Sequence, residues 1–389
     1  MTGGGSGGHI TPILAVAHEL KQEHPDTEII YIGQKGDVFG SIVGEHEIVD
    51  AMHTVHAGKF RRYHGQGIKQ LLDVKTVALN IRDGFRVLWG LVEAYQLLGK
   101  VKPDVVFSKG GFIGVPVGLA AALRHVPYVT HDSDAIPGLA NRIIARWAAK
   151  HAVALESSLY PYPKEKTISV GVPVAAGYEP VTAELRRNYR TKLGLDAYEQ
   201  IILVTGGGLG AARLNQAMVS IMPTLLEEFP HLAVIHTAGN KHEAAVSKAY
   251  TKSLPRGDRS RVIVRDYLTD MYMYSGAADL VVARGGATNF AELAAQAKPS
   301  IIVPNPLLTG GHQVKNAEAY AEKKAVILVQ EDTLSSQPEL IRQTIAHLLV
   351  DPKERLKLAK NIYSFARPHA TADLAAIIWE VGSVQEASD

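Results

Sequence analysis

Short apolar runs rich in β-branched residues alternate along the chain with longer segments of helical periodicity. The clearest strand candidates are apolar almost throughout and lie at residues 28–32, 104–107, 128–130, 201–204, 233–237, 279–283 and 300–303. Apolar strands separated by helices are typical of parallel sheets that helices cover on both faces. The pattern therefore predicts an α/β protein.

The chain also resembles itself. The stretch "TGGGSGG" at residues 2–8 recurs as "TGGGLGA" at 205–211, and "DVVFSKGG" at 104–111 recurs as "DLVVARGG" at 279–286. The order is the same in both halves, which predicts two Rossmann-like domains, each a doubly wound parallel sheet, facing each other across a cleft. We place the first domain at 1–170 and the second at 171–367. A closing helix at 368–389 could pack back on the first domain.

The two glycine loops differ in what precedes them. The second follows the apolar run 201–204, whereas the first follows Met1 alone. An open sheet without its central strand would leave neighbouring backbone groups unpaired. We therefore expect the natural start to lie upstream, with a few apolar residues before Met1.

Composition narrows the class of protein. The 389 residues are 46% hydrophobic and 21% charged, which is typical of a folded protein of two domains. A net charge of +2 does not favour general binding to nucleic acid, and the absence of cysteine excludes disulfides and thiolate catalysis. No apolar run reaches the roughly 18 residues of a membrane span, and no signal peptide is evident. These features favour a cytoplasmic protein.

Glycine loops that open helices suit anions, because glycine lets backbone N–H groups converge and the helix adds its positive end. A nicotinamide site would need an acidic residue after the second strand, but the two halves offer "IGQK" and "HTAG" there. No P-loop, HExxH stretch or paired-carboxylate spacing occurs, so we predict neither metal nor cofactor and expect most of the 16 histidines at the surface.

The stretches "TGGGSGGHITPILAVAHEL", "KPDVVFSKGGFIGVPVGLAAAL", "HDSDAIPGLANRI", "TGGGLGAARLNQ", "ARGGATNFAELAAQAKPSIIVPNPL" and "GGHQVKNA" occur in one order. Together they resemble the MurG group of glycosyltransferase family 28. The resemblance implies a GT-B fold, UDP-N-acetylglucosamine as donor and undecaprenyl-diphospho-MurNAc-pentapeptide as acceptor. It also implies inverting transfer to the acceptor C4 hydroxyl and attachment to the cytoplasmic face of the membrane.

For the donor, the resemblance implies that Glu292 holds the ribose hydroxyls and that Gln313 reads the sugar hydroxyls, as a carboxylate and an amide can. Asn289 could instead cap its helix, Glu292 could be a solvated carboxylate, and Leu268, matched to the uracil contact, could be a core residue. The full donor set implied by the resemblance is Gly207, Gly208, Leu268, Gly286, Ala287, Asn289, Glu292 and Gln313.

Three positions depart from the family pattern. Gly208 stands where a serine touches phosphate, Leu209 where a glutamine is usual, and Ala175 where an arginine contacts phosphate. Arg213 and Arg284 are candidate substitutes, although Arg284 also suits a structural role at a strand end.

For the acceptor, the resemblance implies that two glycine turns hold the lipid diphosphate with backbone N–H groups, while Lys109 adds charge. His9 is the candidate general base, since an imidazole suits proton abstraction near neutral pH. Asp134 is the alternative base or the partner of His9, and a structural role is expected for His131. The predicted diphosphate set is Gly4, Gly5, Ser6, Gly7, Gly8, Lys109, Gly110 and Gly111.

Between residues 59 and 98 basic and apolar side chains mix, which favours contact with anionic headgroups beside a lipid acceptor. Alternatively, one helix buries its apolar stripe and the rest is loop. The residues concerned are Phe60, Arg61, Arg62, Tyr63, Ile68, Lys69, Leu71, Leu72, Phe85, Leu88, Trp89 and Leu91.

Two other functions stay open at this point. UDP-N-acetylglucosamine 2-epimerases use the same fold without any lipid. A lipid-pyrophosphate binder with a decayed donor site would explain Gly208 and Ala175.

Overall fold

The computed structural model describes residues 1–4, 7–36, 43, 46–59, 73–208, 210–307 and 311–386. The chain forms two compact units. Unit 1 comprises Met1–Ala175, Leu307–His312 and Arg367–Asp389, and unit 2 comprises Ala176–Pro306 and Gln313–Ala366. Gly5, Ser6, Leu209 and the predicted membrane residues from Phe60 to Leu72 lie outside the described residues.

Unit 1 contains a parallel sheet flanked by helices. Its helices are α1 (Gly7–Glu23), α2 (Val74–Val101), α3 (Gly114–Leu123), α4 (Leu139–Ile144) and α14 (Ala370–Glu386), and its strands are β1 (Ile30–Gln34), β2 (Ala51–Val55), β3 (Val106–Ser108), β4 (Tyr128–Asp132), β5 (Lys150–Val153) and β6 (Thr167–Ser169).

The pairing of neighbouring strands in unit 1 is interrupted at one place, between β1 and β3. β1 pairs with β2, and β3 to β6 pair in sequence, all in parallel. Thr2 bridges the two groups, because it forms parallel bridges with both Ile32 and Ser108. The first glycine loop thus leaves from the centre of the sheet, at the carboxyl edge where parallel αβ sheets bind ligands.

Two apolar clusters cover the faces of this sheet. Phe107 belongs to the cluster that includes α1 and α14, and its neighbour Val106 belongs to the one that includes α2 and α3. Successive strand residues point to opposite faces, so both faces are covered. The closing helix α14 packs on α1 within unit 1.

Unit 2 repeats this plan with a continuously paired sheet of six strands. Its helices are α5 (Ala183–Lys192), α6 (Ala212–Glu228), α7 (Glu243–Ser253), α8 (Met271–Ala277), α9 (Ala287–Ala295), α10 (His312–Glu322), α11 (Glu331–Ser336), α12 (Pro338–Val350) and α13 (Pro352–Tyr363). Its strands are β7 (Gln200–Thr205), β8 (Leu232–Thr237), β9 (Val262–Arg265), β10 (Leu280–Ala283), β11 (Ser300–Ile302) and β12 (Ile327–Leu328).

The six strands of unit 2 lie in the order β12-β11-β10-β7-β8-β9, all parallel. Ile202 and Val204 belong to one apolar cluster and Ile201 and Leu203 to another, so this sheet is also covered on both faces. The fold prediction is confirmed, and each of the seven predicted strands is present within two residues of its expected bounds. β2, β5, β6, β9 and β12 lie outside the predicted set.

Candidate functional sites

Two glycine turns meet backbone to backbone at the carboxyl edge of the unit 1 sheet. Gly110 and Gly111 follow β3 with φ angles of +93° and +77°, in the left-handed region that favours glycine. A methyl group added at Gly111 would lie 2.5 Å from the carbonyl oxygen of Gly4. Of the first loop, Gly4 is buried, and Gly7 and Gly8 open α1.

Lys109 follows β3 and directs its charge towards the turn after β4. Its side chain is 3% exposed, and the ammonium donates a 2.8 Å hydrogen bond to the hydroxyl of Ser133. Burial lowers the pKa of Lys109 to about 8, against the opposing effect of the Asp132 and Asp134 carboxylates. The ammonium therefore acts on the turn after β4.

Asp132, the last residue of β4, organises that turn and was not predicted as a site residue. One carboxylate oxygen accepts from the Gly138 N–H at 2.9 Å and the other from the Tyr162 hydroxyl at 2.7 Å. Burial raises the pKa of Asp132, while these hydrogen bonds and the Lys109 charge act in the opposite direction. Its place within "HDSDAIPG" is the sequence signal that could have identified it.

His9 lies in the first turn of α1, beside these groups. Burial and the positive charge of Lys109 lower the pKa of His9 to about 4, whereas Asp134 and a hydrogen bond to the Gly4 backbone oppose the shift. The imidazole is therefore neutral at pH 7, the form in which one ring nitrogen carries a lone pair. His9 and Asp134, the two candidate bases, thus interact within unit 1.

His131 lies deeper in the same unit. It is fully buried, and its Nε2 pairs with the carbonyl oxygen of Gly171 at 2.8 Å. Burial keeps the pKa of His131 well below its ordinary value. This contact holds the segment that leads out of β6, as a structural histidine would. His151 and His236 are also fully buried, and with His131 they are exceptions to the surface location expected for most histidines.

In unit 2 the second glycine loop has a packed side and an open side. A methyl group at Gly210 would lie 2.2 Å from the Ala238 carbonyl oxygen. One at Gly207, where φ is +76°, would meet no atom of the described residues within 4 Å. Gly207 therefore presents bare backbone on the side from which an anion could approach, and Gly208 is half-buried beside it.

The turn between β10 and α9 also has a packed side and an open side. A methyl group at Gly285 would lie 2.8 Å from the Gln313 carbonyl oxygen, whereas one at Gly286 would meet no atom within 4 Å in the part of the chain that the structure describes. Ala287 is the first residue of α9, and the Asn289 amide donates back to the Arg284 carbonyl oxygen at 2.8 Å. Asn289 thus fixes the strand–helix junction, close to the capping role expected as the alternative.

Two predicted donor residues have well-defined surroundings. The Gln313 side-chain oxygen accepts from the Asn305 N–H at 2.9 Å, which anchors the amide at the end of β11. Leu268 is only 6% exposed and belongs to the apolar cluster with Leu195 and Phe290. Its surroundings in unit 2 are those of a core residue.

Glu292 lies in the second turn of α9 among tyrosines. Burial raises the pKa of Glu292 to about 8, and a hydrogen bond with the Tyr178 side chain opposes the shift. The charge of Glu292 in turn raises the pKa of both Tyr178 and Tyr267, after burial as the larger cause. Glu292 is therefore not a solvated helix carboxylate, and sequence reasoning missed both tyrosines.

Arg213 and Arg284, the candidate substitutes for the missing phosphate contacts, both pair with the carboxylate of Glu331. Arg284 reaches the buried Glu331 at 2.5 Å and also donates to the Val303 carbonyl oxygen. Arg213, whose side chain is 49% exposed, lies 3.4 Å from the other oxygen of Glu331. Arg284 thus has the structural role anticipated for it, while Arg213 is the more exposed cation beside the glycine loop.

Replacing Arg284 with methionine is expected to lower the free energy of unfolding of unit 2 by about 3–5 kcal/mol, because Glu331 would lose its buried partner. Hydrogen exchange of peptides from β7 to β11 measures this change. Arg213→Met is the matched control, with an expected loss below about 1 kcal/mol for a half-exposed ion pair. Equal losses for the two variants would contradict this assignment.

Comparisons with known proteins show which family the chain matches. Residues 1–153 match the glycosyltransferase family 28 N-terminal domain and residues 201–373 its C-terminal domain. The UDP-N-acetylglucosamine–N-acetylmuramyl-(pentapeptide) pyrophosphoryl-undecaprenol N-acetylglucosamine transferase of Limosilactobacillus fermentum is 35% identical over 97% of this chain and 96% of its own.

Solved structures support the fold. The crystal structure of Acinetobacter baumannii MurG has a TM-score of 0.66 at 22% identity and covers 98% of both chains. The UDP-GlcNAc 2-epimerase from Neisseria meningitidis bound to UDP-GlcNAc has a TM-score of 0.63 at 13% identity, covering 97% of this chain and 98% of that one.

Two Rossmann-like parallel-sheet units with glycine turns at their carboxyl edges define a GT-B glycosyltransferase fold. Within that class, the chain belongs to glycosyltransferase family 28.

Proposed function

We propose that the protein transfers N-acetylglucosamine from UDP-N-acetylglucosamine to the C4 hydroxyl of undecaprenyl-diphospho-MurNAc-pentapeptide, completing the lipid-linked precursor of peptidoglycan. The observation that carries this proposal is a full-length similarity to a transferase of that name in a chain whose two units each have an anion-suited glycine turn. An epimerase acts on the nucleotide sugar alone and needs no lipid acceptor.

Unit 2 binds the donor in this proposal. The N–H groups of the first turn of α9 and the bare backbone at Gly207 and Gly286 suit the diphosphate, since the helix adds its positive end. Glu292 accepts from the ribose hydroxyls. Gln313, held at Asn305 through its oxygen, turns its NH₂ group to a sugar hydroxyl. Arg213 supplies part of the phosphate contact that the family pattern has at positions 208 and 175, where this chain has Gly208 and Ala175.

Unit 1 binds the acceptor and supplies the base. The turn at Gly110 and Gly111 and the loop that opens α1 hold the lipid diphosphate with backbone N–H groups. His9 removes the proton from the acceptor hydroxyl. At the same time the hydroxyl oxygen bonds to the anomeric carbon of the donor sugar, and the bond from that carbon to UDP breaks. A bound diphosphate raises the low pKa of His9, because its negative charges favour the imidazolium that forms.

The displacement inverts the anomeric centre in one step. UDP leaves with the bonding electron pair, and the backbone amides and helix end that bound its diphosphate stabilise the developing charge. Asp134 stabilises the protonated His9 through its negative charge. If His9 were only an orienting residue, Asp134 would be the base.

Membrane contact is the further part of this proposal. No helix among the described residues is long and apolar enough to span a bilayer. On α2, however, Phe85 is 70% exposed and Trp89 is 60% exposed. The exposed apolar residues recur at the spacing of one helix face, and they are Ile81, Phe85, Leu88, Trp89 and Val92.

Basic groups border this apolar face of α2. Arg82 and Arg86 are about half exposed and both pair with the buried Asp83. Together with the aromatic side chains and His56 they line an open depression of about 600 Å³. An apolar stripe edged by arginines suits the boundary between acyl chains and anionic headgroups.

Changing Phe85, Leu88 and Trp89 together to serine is expected to reduce binding to vesicles containing anionic phospholipid by at least tenfold, because the side chains that enter the acyl boundary are lost. Vesicle co-sedimentation measures the change. Leu356→Ser, at an exposed apolar position of α13 in unit 2, is the control. Unchanged sedimentation of the triple variant would contradict membrane contact through α2.

Incubation with UDP-N-acetylglucosamine, with and without the lipid acceptor, tests the function. UDP release that requires the acceptor supports transfer. Formation of UDP-N-acetylmannosamine without lipid would replace the proposal with an epimerase. If neither incubation gives a product and the protein still binds the lipid acceptor, the protein is a lipid-pyrophosphate binder.

A further inference from the structure

Two tyrosines from one segment of unit 1 hold the turn that follows β4 at two points. The hydroxyl of Tyr160 donates to the carbonyl oxygen of Asp134 at 3.0 Å, and the hydroxyl of Tyr162 donates to the carboxylate of Asp132 at 2.7 Å. The paired residues are 26 and 30 positions apart in the chain. The turn carries Asp134, one of the two candidate bases, so its position depends on a segment outside the glycine loops.

The stretch "YPYP" at 160–163 directs both rings to the same side. Proline disfavours a helical conformation of the residue before it, and alternate residues of an extended segment point to the same side. The backbone of Tyr160 is accordingly extended, with φ −106° and ψ +145°. The two ring centroids lie 6.3 Å apart with 13° between the ring planes, and Tyr162 stacks on His151 of β5 at 4.2 Å. The sheet thus supports both rings.

Two hydrogen bonds fix the orientation of the Tyr160 hydroxyl. The N–H of Leu155, just after β5, donates to it at 3.4 Å, while its own proton is donated to the Asp134 carbonyl oxygen. Tyr160 is 6% exposed, and burial raises the pKa of its phenol, which therefore keeps the proton that it donates. Leaving a buried hydroxyl without its partner is unfavourable. The main chain of Asp134 is thus tied to the end of β5.

Asp134 acts through its carboxylate in the proposed reaction, either on the protonated His9 or as the base. Misplacing a catalytic group by about 1 Å can lower a rate by about 10²-fold. We propose that Tyr160 is a positioning residue for the transfer reaction, whose hydroxyl fixes the main chain of Asp134 and thereby limits where the Asp134 carboxylate can lie. This inference rests on the acceptor-side role proposed for Asp134.

The test compares Tyr160→Phe with Tyr128→Phe in the full chain. Tyr128 also donates from a buried hydroxyl to a backbone carbonyl, that of Ile144, but it lies at the opposite end of β4 from the turn. We expect Tyr160→Phe to lower kcat for UDP release about tenfold with saturating lipid acceptor. The Kd for UDP should not change, because the donor residues belong to unit 2. Tyr128→Phe should retain the kcat of the wild type.

A double-mutant cycle shows whether Tyr160 acts through Asp134. Asp134→Asn alone lowers kcat in the proposed reaction, and residues that act as one unit have non-additive effects. We therefore expect Tyr160→Phe to cause no further loss of kcat in the Asp134→Asn background. An equal loss in both backgrounds would overturn the positioning role. Equal kcat for wild type and Tyr160→Phe, or for wild type and Asp134→Asn, would overturn it too.

Amide hydrogen exchange measures the turn without any substrate. The N–H of Gly138 donates to the Asp132 carboxylate, so its exchange reports opening of the turn. We expect faster exchange of this amide in Tyr160→Phe and unchanged exchange in Tyr128→Phe, and equal exchange in all three proteins would contradict the inference. A wild type that transfers no N-acetylglucosamine would overturn the proposed function and the catalytic part of this inference, whereas the exchange rates would still decide whether Tyr160 holds the turn.

Discussion

Replacing His9 with alanine is expected to lower kcat for transfer by about 10²–10⁴-fold, the usual effect of removing a general base. The KM for UDP-N-acetylglucosamine should change little, because the donor residues belong to unit 2. Steady-state UDP release with saturating lipid acceptor measures both constants. His9→Gln, which keeps a hydrogen-bonding side chain without a basic nitrogen, should lose as much.

The pH profile distinguishes a base from an orienting residue. A base must be unprotonated, so kcat/KM is retained above its pKa and is lost as the pH falls through it. With the pKa of His9 lowered to about 4, that loss lies near pH 4 in the free enzyme. Lys109→Met removes a charge that lowers this pKa, so the loss should move to higher pH. A larger kcat decrease in Asp134→Asn than in His9→Ala would assign the base to Asp134.

Replacing Glu292 with glutamine is expected to lower kcat/KM for UDP-N-acetylglucosamine by about 10–100-fold, because charge-assisted hydrogen bonds to the ribose are lost. The loss should lie mainly in KM. Wild-type affinity for UDP should increase as the pH rises towards the pKa of Glu292, about 8, and level off above it, since only the carboxylate accepts both hydroxyls. Binding assays from pH 6 to pH 9 measure this dependence.

The matched control is Glu318→Gln, at an exposed position of α10 in the same unit. It should retain wild-type affinity and pH dependence. The phosphates of UDP titrate equally in every variant, so the difference between wild type and Glu292→Gln isolates the carboxylate. A pH dependence that is identical in these two proteins would exclude Glu292 from the donor site.

The sequence predicted the architecture because the signal is local and repeated. Continuous apolar runs such as 201–204 can be buried on both faces only in a covered parallel sheet, and the duplicated glycine stretches mark equivalent strand ends. In the structure Thr2 bridges to Ser108, and Thr205 pairs with Ala283, so the repeat corresponds to equivalent positions in the two sheets. Short strands such as Lys150–Val153 carry too few apolar residues to give that signal.

The contacts that surround the candidate site residues could not be predicted from the sequence to the same extent. Glu292 has a raised pKa because it is buried, and Tyr178, whose effect opposes that shift, comes from another segment of unit 2 with no periodic relation to α9. Asp132 acquires its partner Tyr162 from 30 residues away. Contacts of this kind depend on tertiary packing, whereas glycine turns and helix ends are set by the local sequence.

Analysis of the lipid product tests the central claim most directly. After incubation with UDP-N-acetylglucosamine and undecaprenyl-diphospho-MurNAc-pentapeptide, mass spectrometry should show the acceptor heavier by one N-acetylhexosamine, and NMR should show a β linkage to the muramyl C4 oxygen. An unmodified acceptor beside a wild-type protein that binds both substrates would contradict the account.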